Sequence, residues 1–189
     1  IFCNNFKLRH IYVFSIKKLM NSKKNLVFLG MMGSGKSSIG HLVSKKLKLK
    51  FVDIDHVIED KIKMKITDIF NKKGEDYFRN LEEEITINSL KNNIGVISLG
   101  GGAFINKIIR EEVLTNHHSF WLNWSAQILL KRIKDSKKRP LVFNSTNKEL
   151  MNLIKKRSKV YSKAEFKIDC DKLTKSEIVK TIIKIYELN

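Results

Sequence analysis

The sequence predicts an α/β fold, with a parallel sheet covered on both faces by helices. Short apolar runs alternate with longer segments whose apolar residues recur at helical spacing, and glycine or aspartate follows the runs. The first run, over residues 25–29, is a short apolar one, as a strand buried on both faces requires. With 189 residues, 42% of them hydrophobic, the chain has material for one core of ordinary size.

The elements follow in order. Residues 25–29 (Asn-Leu-Val-Phe-Leu) read as the first strand, residues 30–37 as a glycine-rich loop, and Ile39, Leu42, Val43 and Leu47 as one face of a helix. Residues 51–55 (Phe-Val-Asp-Ile-Asp) read as a second strand. Residues 56–92 are mostly helical, with Gly74 permitting a sharp turn. Residues 95–99 form a third strand that runs into Gly100, Gly101 and Gly102, and a helix through Ile105, Ile108, Ile109 and Val113 follows. Residues 119–124 make a fourth strand and residues 125–134 a helix. Residues 135–146 are polar and hold Pro140, the only proline. A helix from about Lys148 to Tyr161, a fifth strand over 166–170 and an amphipathic helix over 174–187 close the chain. No repeat or linker divides it, so one domain is expected, with two insertions outside the sheet near 56–92 and 135–146.

Composition narrows the function classes. Cys3 and Cys170 are too few and too far apart for a disulfide framework, and they suggest a reducing, cytoplasmic compartment. No stretch reaches 18 apolar residues, so no membrane span is expected. The net charge of +18 rests on 31 lysines and only six arginines, and the lysines are scattered. Solvated faces explain that better than a nucleic-acid groove, and no nucleic-acid module signature appears. Residues 1–19 are basic and apolar, lack a signal-peptide cleavage pattern, and precede Met20; they read as a leader upstream of a start at Met20, with the domain over 20–189.

The loop from Gly30 to Ser37 fits G-x-x-x-x-G-K-[ST] in full. Its glycines let backbone N–H groups wrap a phosphate, and the helix that follows adds its positive end. Lys36 can reach β- and γ-phosphates, and the Ser37 hydroxyl can ligate Mg²⁺. Binding of a nucleoside triphosphate follows; what is done with its phosphate needs other residues. Asp53 and Asp55, read on one strand face at the carboxyl edge of the sheet, could serve a metal shell and a hydroxyl proton. The other reading is that an aspartate at the strand end caps the next helix. Among so many lysines, an arginine marks a place where a planar fork matters. Arg9 lies in the leader and Arg110 reads as structural, whereas Arg79, Arg132, Arg139 and Arg157 fall in or beside the insertions.

From about Asn25 to its end the chain resembles the shikimate kinases. Six motifs in the family's order carry the resemblance: the phosphate loop, Asp53-Ile54-Asp55, the Phe70…Gly74-Glu75…Phe78-Arg79…Glu82 segment, the Gly100–Gly102 triplet, Arg139-Pro140-Leu141, and Arg157…Tyr161. The resemblance implies a three-layer P-loop kinase fold with a five-stranded parallel sheet in the order 2-3-1-4-5. It also implies ATP-dependent phosphorylation of the 3-hydroxyl of shikimate on the way to chorismate and the aromatic amino acids. Carried over position by position, Gly33, Ser34, Gly35, Lys36, Ser37 and Ser38 hold the nucleotide phosphates. Ser37 and Asp53 serve Mg²⁺, and Asp55 takes a shikimate hydroxyl. Arg79 and Arg157 grip the carboxylate, with the backbone of Gly100, Gly101 and Gly102 against the ring. Arg139 descends from a lid over 135–146, and Arg132 lies near the adenine. Lys36, Asp55 and Arg139 are the implied catalytic residues, Glu82 would hold the Arg79 guanidinium, and a monomer acting on shikimate and ATP, with no nucleic-acid or membrane partner, is implied. A kinase for another small acid such as gluconate, and a non-catalytic nucleotide-binding relative, are the alternative readings.

Overall fold

The computed structural model describes residues 24–134 and 145–188. Five strands, β1 (Leu26–Leu29), β2 (Lys50–Asp53), β3 (Gly95–Ser98), β4 (His118–Asn123) and β5 (Phe166–Asp169), form one parallel sheet in the order β2-β3-β1-β4-β5. The expected order is therefore the observed one. Seven helices join the strands among the described residues: α1 (Lys36–Leu47), α2 (Ile54–Ile62), α3 (Ile66–Asn92), α4 (Lys107–Asn116), α5 (Ala126–Lys134), α6 (Asn147–Tyr161) and α7 (Lys175–Leu188).

Alternation within β1 divides the core. Leu26 and Phe28 face one side with Val96, Phe120 and Leu122, where α1 (Ile39, Val43) and α7 (Ile178, Ile182) cover them. Val27 and Leu29 face the other with Ile97 and Trp121, under α3 (Phe78, Leu81, Ile85) and α6 (Leu150, Ile154). Both faces of the central strands are buried, which is why their sequences carry no polar alternation. All the strand carboxyl ends reach one edge, where α1 and α2 start.

One expectation changes in detail. Residues 54 and 55 belong to α2, not to the second strand, because Asp53 ends β2 and caps the helix at once: its Oδ1 accepts from the Asp55 N–H at 3.1 Å. The helical insertion runs as α2 and then α3, and at Gly74, with φ 84 and ψ 170, the backbone leaves the helix, so α3 is two helical segments joined by the sharp turn expected there. No described helix is long and apolar enough to cross a membrane.

At the opposite edge, the buried Asn25 fastens the start of the sheet. Its Nδ2 donates to Leu90 O at 2.9 Å, and its Oδ1 accepts from the Gly95 N–H at 2.9 Å, tying β1 to the end of α3 and the start of β3. Asn25→Ala leaves both buried backbone groups without that partner. It is expected to cost about 2–4 kcal/mol in urea unfolding; a loss under about 0.5 kcal/mol would mean that the fastening is not structural.

Candidate active site

The phosphate loop leaves the end of β1. Positive φ at Gly30 (140), Gly33 (77) and Gly35 (87) turns the backbone over the start of α1, a path that side chains would strain. The Lys36 ammonium, largely buried, donates to Gly30 O at 2.9 Å and Met31 O at 3.2 Å. A cation is thus stored over the loop beside the positive end of α1. Ser34 Oγ is buried without a hydrogen-bond partner among the described residues. Ser37 and Ser38, in the first turn of α1, are exposed to the loop's surroundings.

At the end of β2, with β3 between it and β1, Asp53 is 8% exposed. Its Oδ1 is engaged by the α2 cap, whereas its Oδ2 is buried with no hydrogen-bond partner among the described residues. Of the two readings that the sequence left open, the helix cap is observed at Oδ1, and Oδ2 is left as a buried hard donor. Asp55 is in the first turn of α2, so the two carboxylates are separated by a helical step and not aligned along a strand face.

The other cluster is built around the glycines after β3. Arg79, on α3 just past the Gly74 kink, donates Nη1 to Glu82 Oε2 at 2.6 Å and Nη2 to Glu75 Oε1 at 3.0 Å. The Phe70 and Phe78 rings lie 5.9 and 5.2 Å from its guanidinium carbon. A Cβ on Gly102 would run into that guanidinium, and one on Gly100 would strike the Glu82 carboxylate and come within 2.8 Å of Asp55 Oδ1. Charged groups from α2 and α3 occupy the space that side chains at positions 100 and 102 would fill, and at position 101 the Met32 backbone of the phosphate loop crowds it. From the opposite wall, α6 contributes Arg157, whose Nη1 donates to Gly101 O at 3.2 Å, and one turn later Tyr161, whose hydroxyl donates to the same oxygen. A capping box at Thr146 and Glu149 fixes the start of α6 and with it the position of these two side chains.

Electrostatics bind the cluster together. Burial raises the Glu82 pKa, Asp55 adds to the rise, and Arg79 and Arg157 offset part of it. Burial also acts to lower the Arg79 pKa, but Glu82 and Glu75 outweigh it, so that group is held even more firmly charged than an ordinary arginine. Burial pushes the Tyr161 phenol up to about 12, so it remains a donor through the physiological range.

The structure thus brings Asp55, Arg79, Gly100, Gly101, Gly102 and Arg157 to one place. Arg132 lies elsewhere, at the phosphate loop, its Cβ 3.6 Å from where a Cβ on Gly33 would be. Arg139 and most of the expected lid fall outside the described residues. Two contributors had no assigned role in the sequence reading. Trp124 donates its indole N–H to Ser34 O and stacks with Arg132, and Glu75 is a second carboxylate on Arg79. Only the rarity of tryptophan beside a strand end could have singled out Trp124. The Tyr161 hydroxyl bond could not be read from the motif that contains it.

Comparison with known proteins points to one family. The family model described as shikimate kinase matches residues 32–187. A shikimate kinase of Thermodesulfovibrio yellowstonii is 39% identical over 165 residues, covering 87% of this chain and 95% of that one. One from a Sulfurihydrogenibium species is 42% identical over 161 residues, covering 85% and 96%. The solved structure of shikimate kinase from Acinetobacter baumannii in complex with shikimate superimposes with a TM-score of 0.83 at 28% identity, covering 89% of this chain and 95% of that one.

The Tyr161 bond makes a prediction with a definite sign. A phenol whose pKa is raised from 10.0 to about 12 in the fold gives its full stabilisation below pH 10 and loses it as the pH rises through about 12. Tyr161→Phe is expected to be about 1 kcal/mol less stable than the parent at neutral pH, and the gap should narrow between pH 10 and 12. A gap that is constant with pH in denaturant titrations would contradict the buried donor.

Proposed function

The chain belongs to the shikimate kinase family, and we propose that its two residue clusters divide that family's reaction between them. The reaction is ATP-dependent phosphorylation of the 3-hydroxyl of shikimate, giving shikimate 3-phosphate and ADP, a step toward chorismate and the aromatic amino acids. The observation that carries the division is the convergence of Asp55, Arg79, Glu82, Arg157 and Tyr161 on the Gly100–Gly102 backbone, next to a complete phosphate loop.

In this reading the loop from Gly33 to Ser38 holds the ATP phosphates, with N–H groups of the loop and the positive end of α1 facing them. Lys36 exchanges its carbonyl partners for β- and γ-phosphate oxygens. The orphaned Asp53 Oδ2 and the Ser37 hydroxyl suit a hard cation, so these two would hold Mg²⁺, Asp53 through water. When bound, the ion neutralises phosphate charge. On the acceptor side, Arg79 and Arg157 take the shikimate carboxylate in two planar forks. Arg157 is well suited, since its described bond is to a carbonyl and not to a carboxylate. The glycine backbone lies against the ring, and Asp55 orients the 3-hydroxyl and accepts its proton as the oxygen attacks. Arg139 closes from the 135–146 segment onto the phosphates, and Arg132 faces the adenine. Residues 1–19 lie outside the catalytic domain, and the enzyme works as a cytoplasmic monomer.

Two sets of variants test the division. Arg79→Ala and Arg157→Ala should each raise the shikimate KM by about 10- to 100-fold, the worth of a charged hydrogen bond, with ATP binding nearly intact. A collapse of ATP binding with shikimate binding preserved would reverse the assignment. Asp55→Asn should keep the fold and ATP affinity and lose turnover by about 10²–10⁴-fold, part of it through lost orientation. Asp53→Asn should be partly rescued by raised Mg²⁺, and Asp55→Asn should not; rescue of the second and not the first would exchange their roles.

A further inference from the structure

Trp124 follows the last residue of β4, where the chain turns into α5. It does two things with one ring. Its Nε1–H donates to Ser34 O, in the phosphate loop, at 2.9 Å. Its face carries the Arg132 guanidinium, whose carbon is 3.6 Å from the ring centroid. We infer that Trp124 is a positioning residue of the nucleotide site, setting the phosphate loop through its N–H and the base-side arginine through its ring.

The first half follows from the geometry of a peptide. The Ser34 carbonyl and the Gly35 N–H belong to one rigid plane and point in opposite directions. An anion-binding loop must turn its N–H groups toward the phosphate and its carbonyls away. Gly35, at φ 87 and with nothing within 4 Å of an added Cβ, sits in an open turn, with little around it to hold this peptide. A donor fixed on the Ser34 oxygen holds the carbonyl outward and thereby keeps the Gly35 N–H pointing the other way. Lys36 plays the matching part at the Gly30 and Met31 carbonyls, but it is expected to leave them for phosphate, whereas the indole belongs to the strand end and stays.

The second half follows from exposure. Arg132 is an exposed side chain near the end of α5, with many rotamers to choose from. Stacking on the half-buried indole selects one of them, over the loop beside Gly33, and leaves the other guanidinium face outward for a flat base. This half rests on the reading of Arg132 as the base-side residue. The first half does not.

The test separates the halves. Trp124→Phe keeps a ring and removes the N–H; Trp124→Leu removes both. ADP titration by calorimetry, with no shikimate present, reads the site whatever the acceptor is. For Trp124→Phe an affinity loss of about three- to tenfold is expected, the worth of one hydrogen bond, with a melting temperature near that of the parent. For Trp124→Leu a larger loss is expected, since the stacked arginine is released as well. The shikimate KM should stay within about twofold in both, as for an independent site. In an Arg132→Ala background the extra cost of Leu over Phe should vanish. ADP affinity within about twofold of the parent in both variants, or a rise in shikimate KM equal to that in ATP KM, would overturn the inference. Persistence of the extra Leu cost without Arg132 would overturn its second half. If the parent chain bound ADP but turned over no shikimate, the acceptor assignment would fail while this inference stood.

Discussion

The cluster around Gly100–Gly102 depends on keeping one carboxylate, that of Glu82, out of water. Its side chain is 3% exposed, and a buried carboxylate without a cation is among the costlier things a fold can contain. Arg79 is therefore fixed against it, three residues back on the same helix. The Gly74 kink lets α3 begin elsewhere and still bring this pair over the end of β3. The Glu82 and Asp55 carboxylates crowd the place of a side chain at position 100 and the Arg79 guanidinium that at position 102, and glycine stands at both. Charge burial, helix bend and glycine run are one constraint expressed in three places.

The nucleotide side follows a parallel logic with backbone groups in place of carboxylates. Three carbonyl oxygens of the loop, those of Gly30, Met31 and Ser34, take a donor from Lys36 or Trp124, which turns them away from the side where an anion would sit. The two sides adjoin: a Cβ on Gly101 would lie 3.2 Å from the Met32 nitrogen, so the glycine strip runs directly beside the phosphate loop. Transfer between two bound molecules needs such closeness, because positioning supplies much of the rate in phosphoryl transfer.

Much of this was legible in the residues. The central strand announced itself as a short unbroken apolar run because both its faces are covered. The phosphate loop did so because few other backbones need that spacing of glycine, lysine and serine. Glu82 was legible as the partner of Arg79 from helical spacing alone. The junction after Asp53 was not, since an aspartate at a strand end and an aspartate capping a helix look alike until the Asp55 N–H is placed on Oδ1. Nor was Trp124, whose two contacts reach residues 90 positions away in one direction and eight in the other, a pairing that only the β1–β4 register and the turn into α5 create.

The most direct measurement of the central claim, that the two clusters together serve one acid acceptor, is ADP release by the full chain with ATP and Mg²⁺, compared across shikimate, gluconate and no acceptor. Turnover that requires shikimate, with gluconate no better than buffer, is the predicted result. Equal ADP release with gluconate, or release that ignores the acceptor altogether, would contradict the account.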